Sequence, residues 1–210
     1  MRPIDTPGMA LVGPHPPREG GLTSLAQWRL QYPTDVNPRQ PPEHASGLRH
    51  LTSKNRPGIS GVTFRGADAA DVPRMTELIA AAALPAVFIT EFLDGFVVAE
   101  RGGEVIACGG VEHYDACAVI RSVVVDPSAR GLGVGVEIAG MLMDRARAAA
   151  AQDIYLFTAE AQDFWSRLGF VDVTFEEWKE PARACWQYQF LSPNREMLPD
   201  VHPMWRSAAP

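Results

Sequence analysis

The stretch best suited to chemistry in this chain is Val123-Val-Val-Asp-Pro-Ser-Ala-Arg-Gly-Leu-Gly-Val-Gly135. An apolar strand runs out at Asp126-Pro127, and a short loop then delivers Arg130 and the glycines Gly131, Gly133 and Gly135 to the start of a helix. That combination makes an anion cradle. Glycine lets the backbone approach a ligand with no Cβ in the way. The first N–H groups of a helix lack partners inside it, and the helix dipole adds positive potential at the same place. A pyrophosphate fits such a cradle. No Gly-Lys-Ser/Thr follows, so this is not a Walker loop, and a Gly-x-Gly-x-Gly spacing after three strands departs from the dinucleotide-binding fingerprint.

A second residue with chemical meaning is Arg121, which interrupts an otherwise apolar strand. A guanidinium in such a place is costly unless it is paired. Either it meets an internal carboxylate, or it receives the carboxylate of a substrate through its bidentate fork. Side-chain alternation puts it on the face of Val119 and Val123 unless a bulge intervenes.

The elements that must position these residues are legible from residue 61 onward. Val62–Arg65 alternates like a strand. Asp68 and Asp71 offer N-cap oxygens, Pro73 suits a first helical turn, and Val72, Met75, Ile79 and Ala82 then follow at helical spacing. A second short helix is expected over 86–93. Strands are expected over 95–101, 104–113 and 118–126, with Gly102-Gly103 as the turn of the first hairpin. Residues 131–150 read as a long amphipathic helix. Residues 153–158 form a strand apolar enough to be buried on both faces. A short helix over 160–168 ends at Gly169, and late strands are expected over 170–175 and 185–191. The fold class is therefore mixed α/β (α+β). A mostly antiparallel sheet is flanked by helices and carries one parallel strand–helix–strand unit.

Composition sets the outer bounds. The chain has 210 residues and a mass of 22.9 kDa, with a net charge of −6. Ten of its 18 prolines fall in residues 1–60, which carry seven Lys/Arg against four Asp/Glu, or +3. The remaining residues carry 12 against 21, or −9. Residues 1–60 thus read as a Pro-rich leader around one short helical stretch at 22–30, residues 61–191 as one acidic domain, and residues 192–210 as a tail. No run approaches the ~20 apolar residues that a membrane-spanning helix needs. There is no basic stripe to neutralise the phosphates of a nucleic acid. Cys108, Cys117 and Cys185 are too scattered for a disulfide framework, which suggests reduced thiols in the cytoplasm. His15, His44, His50, His113 and His202 show no metal-ligand spacing, so no metal is expected.

Two segments together resemble a known family. Arg130-Gly131-Leu132-Gly133-Val134-Gly135 is similar to the acyl-CoA motif Arg/Gln-x-x-Gly-x-Gly/Ala of the GCN5-related N-acetyltransferases (GNAT family). Ala161-Gln-Asp-Phe164-Trp165-Ser-Arg-Leu-Gly169-Phe170 is similar to that family's later Ala-x-x-Phe-Tyr-x-x-x-Gly-Phe motif. The resemblance covers residues 62–191 and includes the order of elements. It implies acetyl-CoA as co-substrate, lying in a splayed gap between the fourth and fifth strands. Val123 and Val125 would then offer backbone groups to the pantetheine arm. An amide of Val124 or Val125 would polarise the thioester carbonyl, and Arg130 through Gly135 would hold the pyrophosphate. In an acidic body the loop and Arg130 must supply the positive potential locally. Glu112 and His113, at the end of the third strand, become candidate bases for the incoming amine. They face opposite sides of the sheet.

Ile120-Arg121-Ser122-Val123 and Leu156-Phe157-Thr158 further resemble a subgroup that acetylates the α-amino group of amino acids or amino-acid-like toxins. This implies a small amine acceptor recognised by Arg121 and Thr158. Trp165 replaces the family's Tyr, and an indole is not a practical acid. Thiolate protonation then falls to Ser166, Tyr155, Thr158 or water, or needs no residue at all, since CoA thiolate is a good leaving group. Members of this family often dimerise, so a homodimer is compatible with the resemblance. The competing functions are acetylation of protein N-termini or lysines, and a catalytically silent acyl-CoA sensor.

Overall fold

The computed structural model describes residues 59–209. The leader up to residue 58, including the helical stretch read at 22–30, lies outside them. One seven-stranded sheet runs through the described residues, in the order β1-β2-β3-β4-β5-β7-β6. The strands are β1 Val62–Gly66, β2 Phe96–Arg101, β3 Glu104–Tyr114, β4 Cys117–Val125, β5 Asp153–Thr158, β6 Val171–Asp172 and β7 His202–Ser207. All neighbours are antiparallel except β4 and β5. The helices are α1 Val72–Ala81, α2 Val134–Ala148, α3 Gln162–Arg167, α4 Glu180–Arg183 and α5 Trp186–Asn194. The mixed α/β class read from sequence is the observed one.

Helix α2 covers one face of the sheet. Its Ile138, Leu142 and Ala146 bury against Ala107, Ala118, Ile120, Ile154 and Leu156. It can lie this close because β3 presents Gly109, where a Cβ would come within 2.9 Å of both Ile138 and Leu142. The opposite face is shared. Helix α1 packs Met75, Leu78 and Ile79 on Phe96, Val98, Cys108 and Val124. Trp178, Ala182 and Cys185, from the segment containing α4 and the start of α5, pack on Cys117, Val119 and Tyr155. Odd and even residues of lower β4 thus go to opposite faces, as the pleat requires.

Several elements differ from the sequence reading, each for a physical reason. Residues 86–93 form no helix. They follow Pro85 and are rich in β-branched side chains, Ala83 and Phe88 sit at φ of +60° and +55°, and only a 3-10 turn at Leu93–Gly95 precedes β2. Helix α2 begins at Val134, because Gly131 and Gly133 adopt φ of +75° and +85° and hold the chain out of the helix until then. Beyond Phe170 the strand is only β6. Thr174 and Glu177 then close a capping box on the 3-10 turn Phe175–Glu177.

Residues 185–191 alternate like a strand, yet they fold as α5. Cys185 supplies its N-cap, with Sγ accepting from the Tyr188 N–H at 3.3 Å. The place beside β5 goes instead to His202–Ser207, from the stretch read as a patternless tail. Those residues pair with β5 from Asp153↔Ser207 to Thr158↔His202. Pro203 hides this strand from a propensity reading. Its carbonyl still accepts from the Val173 N–H at 3.0 Å.

Candidate active site

The parallel pairing of β4 with β5 is short. It runs from Cys117↔Asp153 to Ile120↔Leu156 and stops. Above that point β4 stays bonded to β3 as far as Val125↔Ala107, and β5 stays bonded to β7 as far as Thr158↔His202. The two strands therefore part into a V, each wall held by its outer neighbour. The inner edge at 121–125 carries no ladder bonds to β5. Val123, Val124 and Val125 all lie on it.

A bulge shapes this edge. Cys108 faces Val124 and Gly110 faces Arg121, so β4 spends one residue more than β3 over the same interval. Ser122 absorbs the extra residue at φ +53°. The bulge resets the alternation. Val123 turns to the α2 side, where its Cγ2 would meet a Cβ on Gly109 at 3.0 Å, while Arg121 stays on the face of Val119. Arg121 and Val123 therefore do not share a face.

The anion cradle sits at the mouth of the V. Asp126 caps the 3-10 turn Pro127–Ala129, accepting from the Ser128 N–H at 3.0 Å and from the Ser128 hydroxyl at 2.7 Å. Those bonds, with Arg74 beside them, hold its carboxyl below the usual range. Arg130 Nε donates to the Val125 carbonyl at 3.2 Å, which keeps its exposed side chain against the end of β4. Gly131 and Gly133 take the left-handed conformation that L side chains resist, and Leu132 between them is exposed. The first helical bond of α2 is the Glu137 N–H to the Gly133 carbonyl at 3.1 Å. By helix geometry the amides of Gly133, Val134, Gly135 and Val136 come before any intrahelical partner. Gly135 lies against Val125, where a Cβ would sit 3.4 Å from its Cγ2.

The acceptor-side candidates separate into two faces. Glu112 is buried and accepts from Arg121 Nη1 at 2.7 Å on one carboxylate oxygen. Its other oxygen accepts from the Tyr114 hydroxyl at 2.6 Å. The internal carboxylate that Arg121 needed is thus Glu112. Burial, then the Glu112 charge, pushes the Tyr114 hydroxyl well above its ordinary value, so it stays a donor. His113 faces the other way, toward Arg145 of α2. Burial, then Arg145, lowers its basicity. Its Nδ1 is buried without a hydrogen-bond partner. Thr158 ends the far wall of the V, and its Oγ1 accepts from the Ala161 N–H at 3.1 Å.

Trp165 is core. Its ring meets Phe164 and Phe170 edge-on at 5.0 Å and 5.3 Å. Tyr155 is buried with its oxygen accepting from the Lys179 N–H at 3.3 Å, while Ser166 is exposed. Sequence reasoning did not single out Tyr114, Phe88 or Trp186. Tyr114 stands two residues after Glu112 and so shares its face, a signal that was available. Phe88 and Trp186 come from segments whose folds the local pattern misstates. Among the described residues, no group of three or more His, Cys, Asp or Glu is placed to hold a metal ion. No helix among them is long and apolar enough to cross a membrane.

The fold is shared with solved acetyltransferases. N-acetylglutamate synthase from Neisseria gonorrhoeae, complexed with coenzyme A and N-acetyl-glutamate, superposes with a TM-score of 0.61 at 18% identity, over 71% of this chain. This chain spans 35% of that synthase, about a third of its length. Rv2747 from Mycobacterium tuberculosis, in complex with CoA, superposes with a TM-score of 0.59 at 25% identity, over 69% of this chain and 98% of its own. By sequence, an amino-acid acetyltransferase from Mycobacterium tuberculosis is 30% identical over 128 residues, covering 56% of this chain and 73% of the relative. The model of the acetyltransferase (GNAT) family matches residues 70–170. The chain belongs to the GNAT family of acetyltransferases.

Proposed function

We propose that the protein transfers an acetyl group from acetyl-CoA to the primary amine of a small amino-acid-like acceptor. The observation that carries this reading is the V between β4 and β5, with two left-handed glycines and the free amides of α2 at its mouth. The amides and Arg130 fit a pyrophosphate. The unpaired edge at Val123 and Val125 fits the amide groups of a pantetheine arm. The relatives add the acceptor class, since one is an amino-acid acetyltransferase.

The residues divide the reaction as follows. An amide of Val124 or Val125 faces the thioester carbonyl and steadies the oxygen as it gains charge, a contribution of about 3 kcal/mol for one such donor. A base must take the proton that the ammonium loses before its nitrogen can attack; Glu112, enclosed and bonded at both oxygens, meets it only through water. The amine nitrogen forms the new amide bond, the carbon–sulfur bond breaks, and the thiolate leaves. Of the hydroxyl candidates, Thr158 ends the far wall of the V, Tyr155 is buried and Ser166 is exposed. Trp165 is enclosed in the core and supplies no proton. The buried thiols of Cys108, Cys117 and Cys185 suit the reducing cytoplasm.

The decisive experiment incubates the protein with acetyl-CoA and a panel of amino acids and amines while thiol release is followed. Release that depends on an α-amino acid supports the reading. Tight acetyl-CoA binding with no release on any amine or peptide would overturn it in favour of a sensor.

A further inference from the structure

Arg121 stands one residue past Ile120, where the pairing of β4 with β5 ends. Its side chain is 3% exposed, and that of Glu112 is 0%. A guanidinium carries five N–H donors in a rigid plane. Here each of its three nitrogens has an acceptor. Nη1 meets Glu112, Nη2 meets the Val87 carbonyl, and Nε meets the Ser122 hydroxyl at 3.3 Å. The rings of Phe96 and Trp186 lie 5.8 Å and 5.2 Å from its Cζ. Phe88, next to Val87, meets Trp186 edge-on at 6.1 Å.

These partners come from separate pieces of chain: β2, β3, the β4 bulge, the connection 82–95 and α5. Two of the pieces hold strained backbone, with Phe88 at φ +55° and Ser122 at φ +53°. A bulky residue keeps such a conformation only where its surroundings over-determine it. A guanidinium already matched by a carboxylate and closed off from solvent has little left with which to draw in a second one.

We propose that Arg121 is the keystone of the acceptor face, a positioning residue that clamps the connection 82–95 and α5 onto the sheet and fixes the Glu112 carboxylate, and that it does not itself bind the acceptor. Glu112 is then held at both oxygens, by Arg121 and by Tyr114, in one fixed orientation. Only the activity arm of the test rests on the acetyl-transfer reading.

The test uses the full chain with Arg121→Lys and Arg121→Ala. Arg121→Lys keeps a cation beside Glu112 but lacks the planar fork that reaches Val87 and Ser122 together. Hydrogen exchange is measured without substrate. A keystone requires Arg121→Lys to raise exchange by about tenfold or more in both 82–95 and 186–194, while α2 is unchanged. In Arg121→Ala, millimolar methylguanidine should refill the seat and restore protection in both segments. Where turnover is measured, it should restore kcat for an amino acid and for its carboxamide alike. Unchanged exchange in both segments overturns the proposal. So does a rise in KM confined to acceptors with a carboxylate, with kcat intact, which marks Arg121 as a substrate fork. Should the unsubstituted protein acetylate no amine, the acetyl-transfer reading fails while the exchange measurement still decides the keystone.

Discussion

The two halves of the site are built from different materials. The cofactor half is main chain: the open edge of β4, the left-handed turns at Gly131 and Gly133, and the amides that open α2. The acceptor half is side chain, with Glu112, Tyr114 and Arg121 packed under Trp186 and the Val87–Phe88 turn. The difference teaches where each half can change. A cradle of amides tolerates almost any side chain that preserves its dihedral angles. A buried ionic cluster tolerates almost none, because removing one partner strands the other.

Four outcomes sharpen or break that contrast. The largest belongs to the acceptor half. Glu112→Gln should lower kcat roughly 100- to 10,000-fold while leaving acetyl-CoA affinity nearly unchanged, as measured by thiol release and calorimetry. Next comes Gly133→Glu, which forces a side chain to φ +85° and sets a carboxylate beside the pyrophosphate. Acetyl-CoA affinity should fall by about 100-fold or more, and retained affinity would refute the cradle.

His113 tests the other face of β3. Its folded-state proton affinity is depressed by burial, below the ordinary 6.5. The unfolded chain therefore takes up the proton first as pH falls. The stability held by neutral His113 is present above that ordinary value and is lost on going below it. His113→Gln should flatten the acid decline of the melting temperature by roughly a few degrees between neutral and mildly acidic pH. Its kcat should stay near that of the unsubstituted protein, and a large loss would move the base to His113. The smallest effect is expected for Leu132→Ser. This side chain is exposed within the cradle, so acetyl-CoA affinity should change by less than about threefold.

Legibility in the sequence follows the same division. A main-chain cradle needs glycines at fixed spacing, and those are visible in a single stretch from Arg130 to Gly135. Strands β2 to β5 were equally plain, because each alternates or is continuously apolar and lies between clear breakers. Arg121 could be reduced to two alternatives by the cost of a buried charge. Choosing between them required knowing that β3 places Glu112 beside it, which is a fact of register. The bulge at Ser122 moved Val123 to the other face, and no residue type there announces it. Segment 185–191 has the alternation of a strand but lost its place in the sheet to 202–207. That competition is tertiary and leaves no local mark.

The pairing of β7 with β5 bears on the order in which the site can come into being. During synthesis β5 emerges with only its four-residue parallel contact to β4 available on one side. Its six-residue antiparallel partner, His202–Ser207, follows after α3, β6, α4 and α5 have all been made. The far wall of the V is thus fixed by a late, long-range contact of the kind that folds slowly. A chain that stalled before His202 would carry the whole glycine cradle and the Glu112–Arg121 pair, yet have a loose wall opposite them. Acetyl-CoA would meet a half-built cleft, so the recognisable motif is finished well before the binding site is.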